Sequence, residues 1–178
     1  SPSLAATGPD KPLTIMLPFP PGRTSDVIAR LISSPLGEML KTTVVVENKT
    51  GANGAIGAAA VAQSSNEHTM LLSDMSSLAI NAVMDKALPY KPAQLAATLL
   101  AYSPHLLCTH PSVAANNVME MAALSKTKPI NIASSGIGSA NHLGAVEIAL
   151  ATGMKFVHVP FRGGAQSIAD VAAGNTQL

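Results

Sequence analysis

Five times along the chain, a short apolar run ends in a cluster of Gly, Pro, Ser, Thr or Asn and is followed by a helical or small-residue pattern. The first instance, LTIMLPFPPGRTSDVIAR at residues 13–30, shows the logic. Residues 13–17 read as a strand, Pro18-Phe19-Pro20-Pro21-Gly22 as a rigid turn, and the repeat of Val27, Ile28, Leu31 and Ile32 as a helix face. Thr24 and Ser25 are expected to cap that helix, which should end near Leu40, and Asp26 suits the positive end of its dipole. The later turns fall at residues 48–54, 73–77, 134–139 and 160–164. Alternating β and α segments force an α/β fold with parallel strands and crossover helices. In such a sheet the strand-to-helix turns open at one edge, and ligands bind in the crevice outside the strands' carboxyl ends. Unpartnered amides at the helix starts make that edge a ready site for an anion.

The remaining segments follow the same grammar. Residues 43–47 and 69–73 read as strands around an Ala-rich helix that ends near Gln63. Gly57 weakens that helix but permits close packing on a sheet. Ser76 and Ser77 are placed to cap a short helix through Val83, and ALPYKP is a loop because of its two prolines. Residues 95–102 and 105–109 read as strands, with a boundary between lobes 1–102 and 103–178 and a hinge near residues 100–104. Asn116 or Asn117 then caps a helix to Lys126. Strands at 130–133 and 155–159 alternate with helices at 140–151 and 165–173, and residues 176–178 look like a strand cut short.

Composition removes several classes of function. With 47% hydrophobic and 12% charged residues the chain is too apolar for disorder. A net charge of +1, scattered Lys and Arg, and no Trp argue against nucleic acid as a partner. The single cysteine, Cys108, excludes an internal disulfide framework, and no run reaches the roughly 20 apolar residues needed to span a bilayer. The start, SPSLAATGPD, reads as the loose beginning of a mature protein or the end of a removed leader, or equally as a cloning remnant.

Five segments, PFPPGRTSD, VVVENKTGANGAIGA, ALPYKP, ASSGIGSANHL and HVPFRGGAQ, occur in this order. Together they closely resemble the Bug receptors, the periplasmic solute-binding proteins of tripartite tricarboxylate transport systems. The resemblance runs from about Lys11 onward. It implies a two-lobed periplasmic-binding-protein fold that closes on a small organic carboxylate and presents it to a membrane permease. It also implies a periplasmic location after removal of a signal peptide, a monomer when complete, no cofactor and no catalysis. By resemblance, Phe19, Pro20, Gly22 and Thr24 would hold the ligand from one side, facing Ser135, Gly136, Gly138 and Ser139, with Ser76 and Ser77 nearby. Pro160, Phe161, Arg162 and Gly163 match another second-lobe loop that borders the cleft, and Phe19, Ile137 and Phe161 would shape the rest of the pocket.

Two departures from the family pattern stand out. Arg23 occupies a position where the family usually has Gly. It either pairs with a second ligand carboxylate or leans into solvent and narrows the entrance. The chain also stops short of the family's usual extent, which would leave sheet edges and apolar helix faces uncovered.

Other residues have plainer readings beside the chemical ones. GIGSAN at 136–141 partly fits a dinucleotide-binding loop, but Asn141 replaces the third glycine and no acid ends the next strand. His142 is a candidate ligand contact, with packing or capping as the competing role, and His158 reads as a satisfied core histidine. Cys108 and His110 would share a strand face, without a further ligand at metal spacing. Asp26 fits a turn-stabilising role better than that of a general base. The rival from another class is an α/β enzyme that uses the same turns for a phosphate or a nucleotide cofactor.

Overall fold

The computed structural model describes residues 9–178, and the expectation for the loose start lies largely outside them. The chain divides between Leu95 and Ala96 into two compact units, each with its own parallel sheet.

In the first unit, β1 (Leu13–Leu17) lies between β2 (Val44–Asn48) and β3 (Thr69–Leu71) in a parallel sheet. Leu13 pairs with Val44, and Thr14 with Thr69. As the central strand, β1 is buried on both faces and is apolar nearly throughout, as parallel strands require. Helix α1 (Thr24–Leu40) crosses from β1 to β2, and α2 (Ala55–Ala62) from β2 to β3. Ala29, Ile32 and Leu36 of α1 pack with Ile15 and Leu17, whereas Val27 and Leu31 stand exposed. The core face of α1 is thus rotated from the one read in sequence, because buried Asp26 and Ala29 define it. A second cluster joins Ala55, Ala58 and Ala59 of α2 to Tyr90.

The second unit is built on β4 (Ile130–Ser134) and β5 (Phe156–Pro160), which are parallel with Ile130 opposite Phe156. Helix α4 (Val118–Ser125) precedes them, α5 (Ala140–Thr152) joins them, and α6 (Gly164–Ala172) follows. Later in the first unit, after β3, α3 is the single turn Asn81–Met84. Asn117 caps α4 and Ser139 caps α5, each by accepting the third helical amide on its side chain. Met121, Ala122, Ile130, Ile132, Ala145, Met154 and Leu178 form the core. The 176–178 segment runs beside β4, with the Ala133 amide donating to the Leu178 carbonyl at 2.7 Å.

Two expectations are corrected. Residues 95–102 and 105–109 form no strand among the described residues, and 96–109 are exposed throughout, Leu99 and Leu106 by more than four-fifths. An apolar run becomes a strand only when a neighbour accepts its backbone hydrogen bonds, and none does here. The strands expected at a hinge near 100–104 are therefore absent from the described residues. Nor do Ser76 and Ser77 cap a helix: residues Ser76–Ile80 form a single π-helical turn ahead of α3, without a side-chain cap.

Gly57 supports its reading directly. A Cβ there would lie 2.7 Å from the Lys49 carbonyl oxygen and 2.8 Å from Pro18 Cα, so α2 touches backbone. Gly57→Ala is expected to destabilise the protein by about 1–3 kcal/mol, because overpacking outweighs the helix propensity gained. Gly144 of α5 has nothing within 4 Å of its would-be Cβ. Gly144→Ala should therefore stabilise by about 0.5–1 kcal/mol. Urea denaturation of both variants checks the contrast.

Candidate functional site

The turn from β1 to α1 is organised by one carboxylate. Asp26 is buried, and its Oδ2 accepts the Gly22 N–H at 3.0 Å and Arg30 Nε at 3.1 Å. Its Oδ1 accepts Arg30 Nη2 at 3.0 Å and Asn48 Nδ2 at 3.1 Å. The same Asn48 amide donates to the Phe19 carbonyl at 3.0 Å, so the end of β2 is tied to the turn after β1. Hydrogen bonds from Arg30 and Gly22 hold the Asp26 carboxyl at about 2, well below its ordinary value, despite its burial.

This corrects the expected cap. The residue at the helix start is Arg23, without a side-chain cap, and neither Thr24 nor Ser25 supplies one. Asp26 reaches back past them to Gly22 and closes the turn from inside. The amides of Thr24 and Ser25 consequently find no acceptor among the described residues, whereas that of Gly22 is engaged. The Arg23 guanidinium carbon sits over the Phe19 ring, 4.3 Å from its centroid. Phe19 is itself 4% exposed, so the arginine covers a buried ring. Pro20 is half-buried beside it.

The other two turns of this unit close against the first. Gly54 adopts φ +87°, and a Cβ there would meet Ser77 Oγ at 3.0 Å and the Phe19 ring at 3.1 Å. Ser77 Oγ lies 2.7 Å from Ser73 Oγ, and the Ser76 amide donates to Asp74 Oδ1 at 2.9 Å. Both Ser76 and Ser77 are fully buried, and the Tyr90 hydroxyl donates to the Ser77 carbonyl. Burial raises the Tyr90 phenol above its ordinary range. Asn81 Nδ2 donates to the Asn53 carbonyl at 3.0 Å, and Asn53 Nδ2 to Asn81 Oδ1 at 3.1 Å.

In the second unit the glycine-rich turn between β4 and α5 is likewise held from within. Ser134 Oγ accepts the Gly136 N–H at 3.1 Å, and His142 Nδ1 accepts that of Gly138 at 3.1 Å. Both glycines have positive φ, +127° and +75°, as the reversal requires. Ser139 Oγ lies 2.6 Å from the Gly136 carbonyl and 2.7 Å from Asn141 Oδ1, to which Ser135 Oγ donates at 2.9 Å. The amides of Ala140 and Asn141, which open α5, find no acceptor among the described residues. The Phe161 amide donates to the Ser134 carbonyl at 2.9 Å, which brings the turn after β5 alongside. Phe161 is half-buried, while Ile137 and Arg162 are exposed.

Within each unit, then, the sequence-derived candidates gather at the carboxyl edge of the sheet. Reasoning from sequence missed Asn48, Asn53, Asn81, Tyr90 and Ser134, whose polar groups shape the turns. The tyrosine of ALPYKP was the available signal, since a lone aromatic between two prolines must pack somewhere. A hollow of about 590 Å³ lies at the opposite edge of the first sheet, lined by Ser33, Gly37, Lys41 and Thr43 among others. It gathers none of the candidate residues. Among the described residues, no group of three His, Cys, Asp or Glu could hold a metal ion.

Residues 28–178 match the family model described as tripartite tricarboxylate transporter family receptor. Protein BugT of Bordetella pertussis is 32% identical over 180 residues, covering 98% of this chain and 55% of that protein. The chain thus spans about half the length of the curated relatives it matches. Among solved structures, R. palustris Rpa4515 with adipate is 28% identical, with a TM-score of 0.84 over 95% of this chain and 58% of that one. The periplasmic binding protein BugD is 25% identical, with a TM-score of 0.74 over 95% and 58%.

The Asp26 network generates a signed expectation for stability. Its carboxyl value is depressed from 3.8 to about 2, so its contribution is complete above pH 3.8 and lost as pH falls toward 2. Asp26→Asn should cost about 1.5–3 kcal/mol at neutral pH, the range for hydrogen bonds to a charged group. Urea denaturation should show that difference shrinking as pH drops below about 4.

Proposed function

Because the chain belongs to the tripartite tricarboxylate transporter receptor family, whose periplasmic-binding-protein fold it shares with BugD, we propose that it binds a small organic carboxylate between its two lobes. In this reading the chain is a periplasmic receptor, not an enzyme, and it delivers the carboxylate to a membrane permease. In this reading the boundary between lobes lies near residue 102, within the exposed segment that follows the division after Leu95, and the complete receptor is a monomer. Adipate in the related Rpa4515 structure supports the ligand class.

The observation that carries the reading is a division of labour among amides. In each unit the turn glycines spend their N–H groups on the turn itself, Gly22 on Asp26 and Gly138 on His142. The opening amides of α1 and α5 are left for an anion. Such donors are rigid before the ligand arrives, which lowers the cost of ordering them. Ser135, Ser139, Thr24 and the backbone near Pro20 and Gly136 complete the polar lining, with Phe161 and Ile137 as apolar walls. Ser76 and Ser77 act from below, as buried supports of the first lobe's edge. Closure of the lobes on the carboxylate would favour the permease-binding form.

Arg23 takes a specific part. Its guanidinium sits over the Phe19 ring, and in this reading its N–H groups take a second carboxylate. A diacid should therefore bind more tightly than a monoacid.

Thermal-shift titration with adipate, hexanoate and nucleotides tests the whole reading. Stabilisation by the acids and none by nucleotide is expected, and the reverse result would establish the rival phosphate- or cofactor-binding enzyme. Calorimetry on Arg23→Gly should show about a tenfold loss of adipate affinity, one charge-assisted contact, with little change for hexanoate.

A further inference from the structure

Two histidines brace the glycine-rich turn of the second unit in a way that carboxylate binding alone does not explain. His142 lies in the first turn of α5 and His158 in the middle of β5. Their rings are stacked, with centroids 3.9 Å apart and planes inclined by 11°. His142 Nδ1 accepts the Gly138 N–H, so that nitrogen carries no proton and the neutral ring bears its hydrogen on Nε2. His158 Nε2 lies 2.6 Å from Ser134 Oγ, the atom that accepts the Gly136 N–H. One imidazole thus holds Gly138 directly, and the other holds Gly136 through a serine.

We infer that His142 and His158 form a positioning pair that keeps the glycine-rich turn in its anion-ready shape only while both rings are neutral. The lock stands on this geometry, and its consequence for ligand binding rests on the carboxylate reading above.

The chemistry is one of lost acceptors. A proton on His142 Nδ1 would confront the Gly138 N–H with another N–H, and the bond would break. A proton on either ring also places a positive charge face to face with its stacked partner, where a second charge is opposed. Burial, followed by the charge on His142, pushes His158 below the ordinary imidazole range. No carboxylate offsets this. His142 is the one charged neighbour that acts on His158. Of the charges on the surrounding elements, Glu120 is bonded to Asn116 and Asn117, and Asp170 to Asn175. Glu147 on α5, Lys126 after α4, and Lys155 and Arg162 on either side of β5 form no ion pair among the described residues.

Nitrogen NMR of the labelled chain, titrated from about pH 8 to about pH 5 where imidazoles change charge, reads the lock without any ligand. At the alkaline end His142 should show the Nε2–H tautomer, and the Gly138 amide should shift with the same midpoint as the His142 ring. In His142→Asn the side-chain oxygen replaces Nδ1 as acceptor without titrating. The Gly138 amide should then keep its alkaline position and lose its pH dependence. In His142→Leu it should sit near its acidic position throughout. An Nδ1–H tautomer for His142, or a Gly138 amide that titrates alike in wild type and His142→Asn, overturns the inference. Adipate stabilisation at pH 8 is measured in parallel. Its absence beside a correct tautomer and a coupled titration removes the carboxylate reading and leaves the lock standing.

Discussion

The buried carboxylate of Asp26 is the interaction on which the first unit's edge depends. It gathers Gly22, Arg30 and Asn48 around two oxygens, and through Asn48 it reaches the Phe19 carbonyl. A charge this well enclosed is tolerated only because each oxygen is satisfied by donors, two of them from a guanidinium. Without it, the turn after β1 would have no reason to fold back over the end of β2. The Phe19 ring, and Arg23 upon it, take their positions from that fold-back.

The second unit solves the same problem without a charge. Ser134, Ser139 and His142 satisfy the backbone of the glycine-rich turn, with hydroxyls and a neutral imidazole in place of a carboxylate. An uncharged brace leaves the local potential to the helix dipole, which suits an anion. Family membership and this arrangement agree: donors at the ends of parallel strands, with Arg30 spent on the buried Asp26. On the proposed carboxylate reading, specificity would come from the geometry of fixed amides more than from attraction of opposite charges.

Several sequence expectations met the structure closely. The cap at Asn117, the parallel pairing and the close packing of α2 at Gly57 all follow from local rules that hold wherever the residue sits. Others failed for an equally definite reason. Residues 95–102 have the apolar content of a strand, but a strand is a property of two segments, and no partner pairs with them among the described residues. Ser76 and Ser77 have the chemistry of caps, yet the Ser77 hydroxyl and carbonyl answer to Ser73 and Tyr90, and the Ser76 amide to Asp74. Arg23 was open to two readings, and its place over the Phe19 ring is a third that composition cannot reveal.

By itself the sequence determined the α/β class, the order of turns and the residues at each of them, because periodicity and turn chemistry are written locally. Its five motifs also pointed to the family that the comparisons show. What only the tertiary structure decided is which polar groups remain available. The glycine amides that looked open are consumed by Asp26 and His142, and the helix-opening amides beside them are not. That outcome turns on acceptors reaching back across a turn or across a strand to within 3 Å or so, a distance that only folding sets.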